Sequence, residues 1–498
     1  MKKTLLYFLI FVFSITAYAQ WDSSKAEQID KLFLEWNTPN FPGGTITIVQ
    51  NGIPLFSRAY GLASLEYLVP NTTGTQYNIA SVSKQFTAMG IVLLHLQGKL
   101  SVDDNVRKHI PELPDFGPPI TLRHMLHHTS GMRSLHTMLS LAGWRSGDAR
   151  TNQDLYRFML NQQDLNFVPG DEYMYCNTGY ILMAMIIERI TGEKFATWMK
   201  KQVFEPLGMH STYVEDKYNR IVPNNATSYS GTKEGGFERE VEFWGYTGSG
   251  NIHSTTHDLL KWYRNYYQPT QGWEQAFSKM LTVDSLNNGD PNNYAFGVRV
   301  DLYKDEKRIS HGGSIGGYRA FACTYPDRQL DIVALTNFSS SAVEGKVNAI
   351  TNIILGKSEE APARFELEAR QIDLAEFDAL AGTYTMKESP DRLMELSREK
   401  DAFFLRLTGQ DRVQVFAADK TTFFNNSLQL KIVFSESEKQ TYTMTQNGRS
   451  FSGSKTVKYV PFLNELEEIA GSYWSPELHT LYSFKVYNGS LYGYHTRH

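Results

Sequence analysis

Ser81 and Lys84 stand three residues apart at the head of an apolar run that includes Phe86, Ala88, Met89, Ile91, Val92, Leu93 and Leu94. A serine hydroxyl is a weak nucleophile until a nearby base takes its proton. Positions i and i+3 share a helix face, so the Lys84 amine can fold back onto Ser81 Oγ. An amine serves as base only when burial or a neighbouring cation lowers its pKa, and the apolar run predicts a buried helix that supplies such a setting. Alone, a Ser-x-x-Lys tetrad equally describes a capped surface helix with a solvated lysine. Two further elements alter that reading, Tyr175-Cys176-Asn177 and His311-Gly312-Gly313, in the order an acyl-transferring serine enzyme needs.

With these three elements the chain resembles the penicillin-binding-protein and serine β-lactamase family, in the branch of class C β-lactamases, DD-carboxypeptidases, D-aminopeptidases and related esterases. The likeness extends to the segment from Ile120 to Met132, to Thr178-Gly179-Tyr180 after the second element, and to the segment from Gly250 to Trp262, where Thr255 and Asp258 are spaced as a capping box. It covers roughly residues 25 to 355, enough for one large catalytic domain. The resemblance implies an α/β (α+β) fold of the β-lactamase/transpeptidase-like kind, an antiparallel sheet flanked by helices with a helical subdomain. It places Ser81 at a helix start, the Tyr-x-Asn loop on the helical side, and His-Gly-Gly on a strand lining the cleft.

The same resemblance implies roles. Ser81 is the nucleophile that forms an acyl-enzyme, and Lys84 and Tyr175 share its proton, Tyr175 passing it to the leaving group. A tyrosine has a reference pKa near 10, so this role asks Lys84 and His311 to hold the phenol partly ionised. Asn177 orients Lys84 and binds the substrate amide. The backbone N–H groups of Ser81 and Ser314 form the oxyanion hole, while Gly312 and Gly313 let substrate lie close to the strand. No cofactor is required. The spacing of His124, His127 and His128 could suggest zinc, but His-Glu-x-x-His is absent and structural histidines are expected.

Class C enzymes carry a lysine where this chain has His311, which is mostly neutral near pH 7. Efficient penicillin hydrolysis is therefore not expected. The implied substrate is a small molecule or peptide with an amide or ester bond, including peptidoglycan-derived ones, handled by a D-amino-acid peptidase or carboxypeptidase, an amidase or an esterase. A weakly active β-lactamase and a non-catalytic binding or scaffold member of the fold remain as alternatives.

The elements that must position these residues follow from patterning. Gly44–Gln50 and 54–60 flank Asn51-Gly52, a strong hairpin signal. A mostly helical stretch runs from Ser81 to about Tyr267, and strand patterns return at 294–300, 317–325 and Leu330–Thr336. Residues 357–370 read as a polar linker, so a chain ending at Leu355 is expected to keep all three motifs in a folded unit. Short alternating strands then predict a barrel-like all-β module at 371–460. Leu380-Ala381-Gly382-Thr383-Tyr384 recurs as Ile469-Ala470-Gly471-Ser472-Tyr473, so 461–498 reads as an incomplete second copy.

Residues 1–19 have the Lys2-Lys3 start, short apolar core and Ala17-Tyr18-Ala19 end of a secretory signal, with cleavage before Gln20 and a periplasmic or secreted product. The apolar run is too short to span a bilayer, and no stable membrane anchor is expected. The formal charge of -4 argues against nucleic acid as a partner. Cys176 and Cys323 are expected to be buried free thiols.

Overall fold

The computed structural model describes residues 23–495 apart from 146, 233–234, 357–364, 388–391, 409–411, 436–439, 447–448 and 457–460. The predicted leader and the first part of the predicted linker lie outside the described residues.

Helix α1 (Ser23–Lys31) precedes a hairpin of β1 (Gly44–Gln50) and β2 (Ile53–Tyr60). Asn51 and Gly52 have φ of 51° and 75°, the left-handed pair that a two-residue turn requires to match strand twist. Four more strands join them, β3 (Arg299–Tyr303), β4 (Glu306–Ile315), β5 (Tyr318–Tyr325) and β6 (Leu330–Thr336). The result is an antiparallel sheet of order β3-β4-β5-β6-β1-β2. Every residue of β6 is buried, which is why it reads as a nearly continuous apolar run. Ile332 and Ala334 pack with Ile29 of α1 and with Val347 and Ile350 of a later helix, while Val333 and Leu335 face a second core. That second core is built from α2 (Lys84–Leu96), α3 (Asn177–Thr191) and α4 (Thr256–Arg264). Helix α5 (Val343–Leu355) closes the first face.

Three expectations shift. The strand predicted from Tyr294 begins only at Arg299, because Gly297 turns the chain at φ 77°. A Cβ there would lie 2.7 Å from Gln85 Cα, so the turn is pressed against the start of α2. The helical stretch gives way after about Leu207 to short paired strands, including Tyr213–Val214 and Ile252–Ser254. The Thr255 hydroxyl accepts the Asp258 N–H as an N-cap, but the Asp258 carboxylate takes the Ser211 N–H and the Thr212 hydroxyl instead of closing the box.

The chain divides into two compact units, one of residues up to 357 with 471–485 and 492–498, the other of 358–470 with 486–491. In the second, α6 (Leu374–Leu380) leads into eight strands that close as a barrel: β7 (Gly382–Thr385), β8 (Leu393–Glu399), β9 (Ala402–Leu407), β10 (Val413–Ala417), β11 (Thr422–Asn425), β12 (Leu430–Phe434), β13 (Thr441–Gln446) and β14 (Arg449–Thr456). Closure is made by β7 against β14, with Thr383 opposite Thr456. Its interior holds Phe377, Tyr384, Phe423 and Ile432. The repeated sequence starts the same succession again, with α7 (Leu463–Ile469), then β15 (Gly471–Ser475), β16 (Thr480–Tyr487) and β17 (Ser490–His495). Within the first unit, Glu477 pairs with Arg133 at 2.5 Å and accepts the Gln163 N–H at 2.8 Å. Both cysteines are buried and free. Among the described residues no helix is long and apolar enough to cross a membrane.

Candidate active site

Ser81 lies in a single 3-10 turn, Ala80–Ser83, that feeds α2, not at the first position of the α-helix itself. Ala80 carries φ 49°, a left-handed conformation that costs a residue with a Cβ about 1–2 kcal/mol. Hydrogen bonds hold it there. The Ala80 N–H donates to Asn78 Oδ1 at 2.9 Å, and Asn78 Nδ2 donates to Asn251 Oδ1 at 3.1 Å. Asn251 Nδ2 in turn donates to the carbonyls of Trp244 and Tyr246, both at 2.9 Å. Strain concentrated beside Ser81 and offset by its surroundings makes this a candidate functional turn.

The Lys84 side chain is fully buried. Its Nζ donates to Ser81 Oγ at 3.1 Å and to the Ser249 carbonyl at 2.8 Å, and it stands 4.8 Å from the centre of the Tyr175 ring. Burial drives its pKa well below the ordinary lysine value, and no carboxylate pairs with it among the described residues. The amine is thus held next to the hydroxyl in a setting that eases loss of its proton, as a base for Ser81 requires. Its second bond goes to Ser249, not to Asn177 as expected. Asn177 instead opens α3 and lines the cavity beside Ser81.

The phenol of Tyr175 is pushed well above its ordinary pKa by burial, and the Ser81 side chain, as a hydrogen-bond partner, recovers part of that shift. The expected partial ionisation is not supported, because burial raises the phenol and neither Lys84 nor His311 is among the groups that pull it back down. Lys84 is depressed by burial, and His311 is lowered to about 3 by burial and by the nearby Lys84. His311 Nδ1–H donates to the Gly312 carbonyl at 2.6 Å, and Nε2 accepts the Tyr294 hydroxyl at 2.8 Å. Tyr175 therefore stands as a neutral phenol able to relay a proton.

Gly313 explains how strand and nucleophile meet. A Cβ on it would lie 2.4 Å from the Ile79 carbonyl oxygen and 3.1 Å from Ala80 Cβ, so only glycine lets β4 approach this closely. Ser314, the next residue, lines with Ser81 both flanking cavities. One, of about 280 Å³, is walled by His136, Trp244, Tyr246 and Gly316; the other, of about 520 Å³, by Tyr175, His311, Gly312 and Arg319. Ser81 sits where the two meet.

Three contributors, Ser249, Arg299 and Asn78, escaped the sequence reading, and His128, expected as a structural histidine, joins them. Ser249 offers only a carbonyl. His128, at φ 60°, accepts the Cys176 N–H on Nδ1 at 3.1 Å and packs 4.2 Å from the Tyr175 ring, so it fixes the Tyr-x-Asn loop. Its burial keeps it neutral, as the acceptor role demands. Arg299 lines a third cavity, of about 420 Å³, with Tyr173, Tyr175 and His311, and has no ion-pair partner among the described residues. Asn78, in the segment just before Ser81, carried a polar side chain as its only signal. Of the other histidines, His127 Nδ1 meets the Tyr294 carbonyl at 2.7 Å and His124 Nδ1 accepts the Thr121 N–H at 3.3 Å.

A six-stranded antiparallel sheet with helical layers, carrying a serine and a buried lysine on one turn, defines a serine hydrolase of the penicillin-binding type. The Beta-lactamase family model matches residues 29–356, and the chain belongs to that family. It is 28% identical to penicillin-binding protein 4* of Bacillus subtilis (strain 168) over 83% of this chain and 95% of that protein. It is 26% identical to a D-aminopeptidase of Gluconobacter oxydans (strain 621H), over 70% of this chain and 64% of that protein. Among solved structures it is similar to the octameric penicillin-binding protein homologue from Pyrococcus abyssi, with a TM-score of 0.62, 23% identity, and coverage of 87% of this chain and 100% of that one.

Proposed function

We propose that this chain is an exported hydrolase that cleaves amide or ester bonds of D-amino-acid derivatives through an acyl-enzyme on Ser81. The observation that carries the reading is the buried Lys84 amine, without a carboxylate partner among the described residues, 3.1 Å from Ser81 Oγ. In this reading Ser81 Oγ attacks the carbonyl carbon as its proton passes to Lys84. The N–H groups of Ser81 and Ser314 stabilise the oxyanion. The Tyr175 phenol protonates the departing amine or alcohol and takes a proton back from Lys84, Asn177 binds the substrate amide, and water then cleaves the acyl-serine bond, one of its protons returning to Ser81 Oγ through the same groups. Trp244 and Tyr246 suit the acyl side chain. The neutral His311 offers a β-lactam carboxylate no charge, and Arg299 is the cation that a free carboxylate at the leaving side would meet. The exported location rests on the leader pattern of residues 1–19.

A substrate panel tests this, comparing D- and L-phenylalanine amides, an activated ester and a chromogenic cephalosporin, with Ser81→Ala as blank. Preference for D over L amide and slow cephalosporin turnover are expected. L preference, or cephalosporin as the best substrate, would sink the reading.

A further inference from the structure

The Glu242 carboxyl lies behind the Ile315–Gly317 turn that joins β4 to β5, outside the groups that the proposed chemistry uses. Gly316 has φ 46°, and a Cβ on it would lie 1.5 Å from Glu242 Oε1, so the carboxyl occupies the space that glycine leaves open. The Ser228 hydroxyl donates to Glu242 Oε1 at 3.0 Å and accepts the Gly317 N–H at 2.7 Å. Ser314, Ile315 and Gly316 form one wall of the 280 Å³ cavity beside Ser81. We propose that Glu242 is a positioning residue for the hydrolytic site, fixing this turn by direct packing on Gly316 and through Ser228 on Gly317, and thereby holding Ser314 beside Ser81, where its N–H can meet the substrate oxyanion. The proposal rests on the hydrolase reading given above.

The surroundings make the device sensitive to pH. Glu240 on its own segment, Glu215 from the neighbouring loop, and Tyr246 and Tyr318 face Glu242. Glu215 is already bound to His253 at 2.9 Å. Arg319 is the near cation, yet its Nη1 donates to the Gly316 and Tyr318 carbonyls at 2.8 and 2.7 Å. No ion pair of Glu242 exists among the described residues. Burial, reinforced by Glu215 and Glu240 against the pull of Ser228, raises its pKa to about 8. Below that pH the neutral carboxyl fits its site. Above it, a buried charge facing two carboxylates favours turning to solvent, which releases the turn.

The test compares the native chain with Glu242→Gln and Glu242→Ala. It measures kcat and KM for an activated ester from pH 6 to 10, and amide hydrogen exchange across 312–319. The native kcat is expected to fall above about pH 8 with KM little changed. Glu242→Gln, which keeps the shape without the charge, should retain kcat at pH 7 and lose that alkaline fall. Glu242→Ala should lose kcat by about 10- to 100-fold and exchange faster over the turn. An alkaline fall in Glu242→Gln equal to the native one, or native kcat in Glu242→Ala, overturns the proposal. If Glu242→Ala fails to fold, the Gln profile decides. If native turnover equals that of Ser81→Ala, the hydrolase reading fails separately, and exchange over 312–319 unchanged by the Ala variant then refutes the positioning role by itself.

Discussion

At the scale of the residue, the proposed chemistry depends on one proton, that of Ser81 Oγ. Lys84 works as a base only when neutral, so the acylation rate must rise with pH as the amine loses its proton. Burial places that ionisation well below 10.5, and single-turnover acylation by an activated ester should stop rising well short of that pH. A rate still climbing through pH 10.5 would mean an ordinary, solvated lysine. Lys84→Arg keeps a cation that cannot be deprotonated and should cost at least about 100-fold in acylation at every pH. The order of Ser81, Lys84, Tyr175 and His311 along the chain is distinctive enough to single them out as candidates, and the structure brings the four together. Ser249 was not legible in the sequence, since any residue type offers a carbonyl. The protonation states were also hidden, because they depend on burial that tertiary packing creates.

At the scale of the element, the site is a meeting of one turn, one strand and one loop. The Asn51-Gly52 hairpin and the apolar β6 were readable because turn chemistry and two-sided burial leave strong local marks. The sequence around Tyr294 has the apolar texture of a strand, but β3 starts only at Arg299, since a buried turn at Gly297 carries the same texture. Gly313 carries the closest approach between β4 and the nucleophile turn. Gly313→Ala must push the strand away from Ile79 and Ala80, displacing the Ser314 amide, and should lower kcat by about 100-fold or more while the thermal midpoint changes far less in proportion. In Gly312→Ala the new Cβ meets only ordinary contacts, Phe321 at 3.6 Å and the Ala320 carbonyl at 4.0 Å, so comparing the two alanine variants by steady-state kinetics separates the close approach at Gly313 from the loss of cavity space that both share. Equal losses in both would show that close packing at Gly313 is not what sets the oxyanion donor.

At the scale of the whole molecule, the repeated Ala-Gly-Ser/Thr-Tyr motif announced a second start of the β module, and helix α7 followed by β15 to β17 repeats the order of α6 and β7 to β9. What could not be read was where residues 471–485 pack. Glu477 takes Arg133 and Gln163, and the Arg133 carbonyl accepts the Thr178 hydroxyl at 2.8 Å, one residue beyond Asn177. A long-range ion pair leaves no local pattern, so a chain ending at Leu355 looked self-sufficient from sequence yet would lack this brace. The central claim, that Ser81 is acylated with Lys84 as its base, is tested most directly by intact-mass and peptide mapping of the full chain after reaction with a fluorophosphonate. The account predicts a single adduct on the peptide containing Ser81, absent in Ser81→Ala and strongly slowed in Lys84→Arg. An adduct on another residue, or labelling that persists in Ser81→Ala, would contradict it.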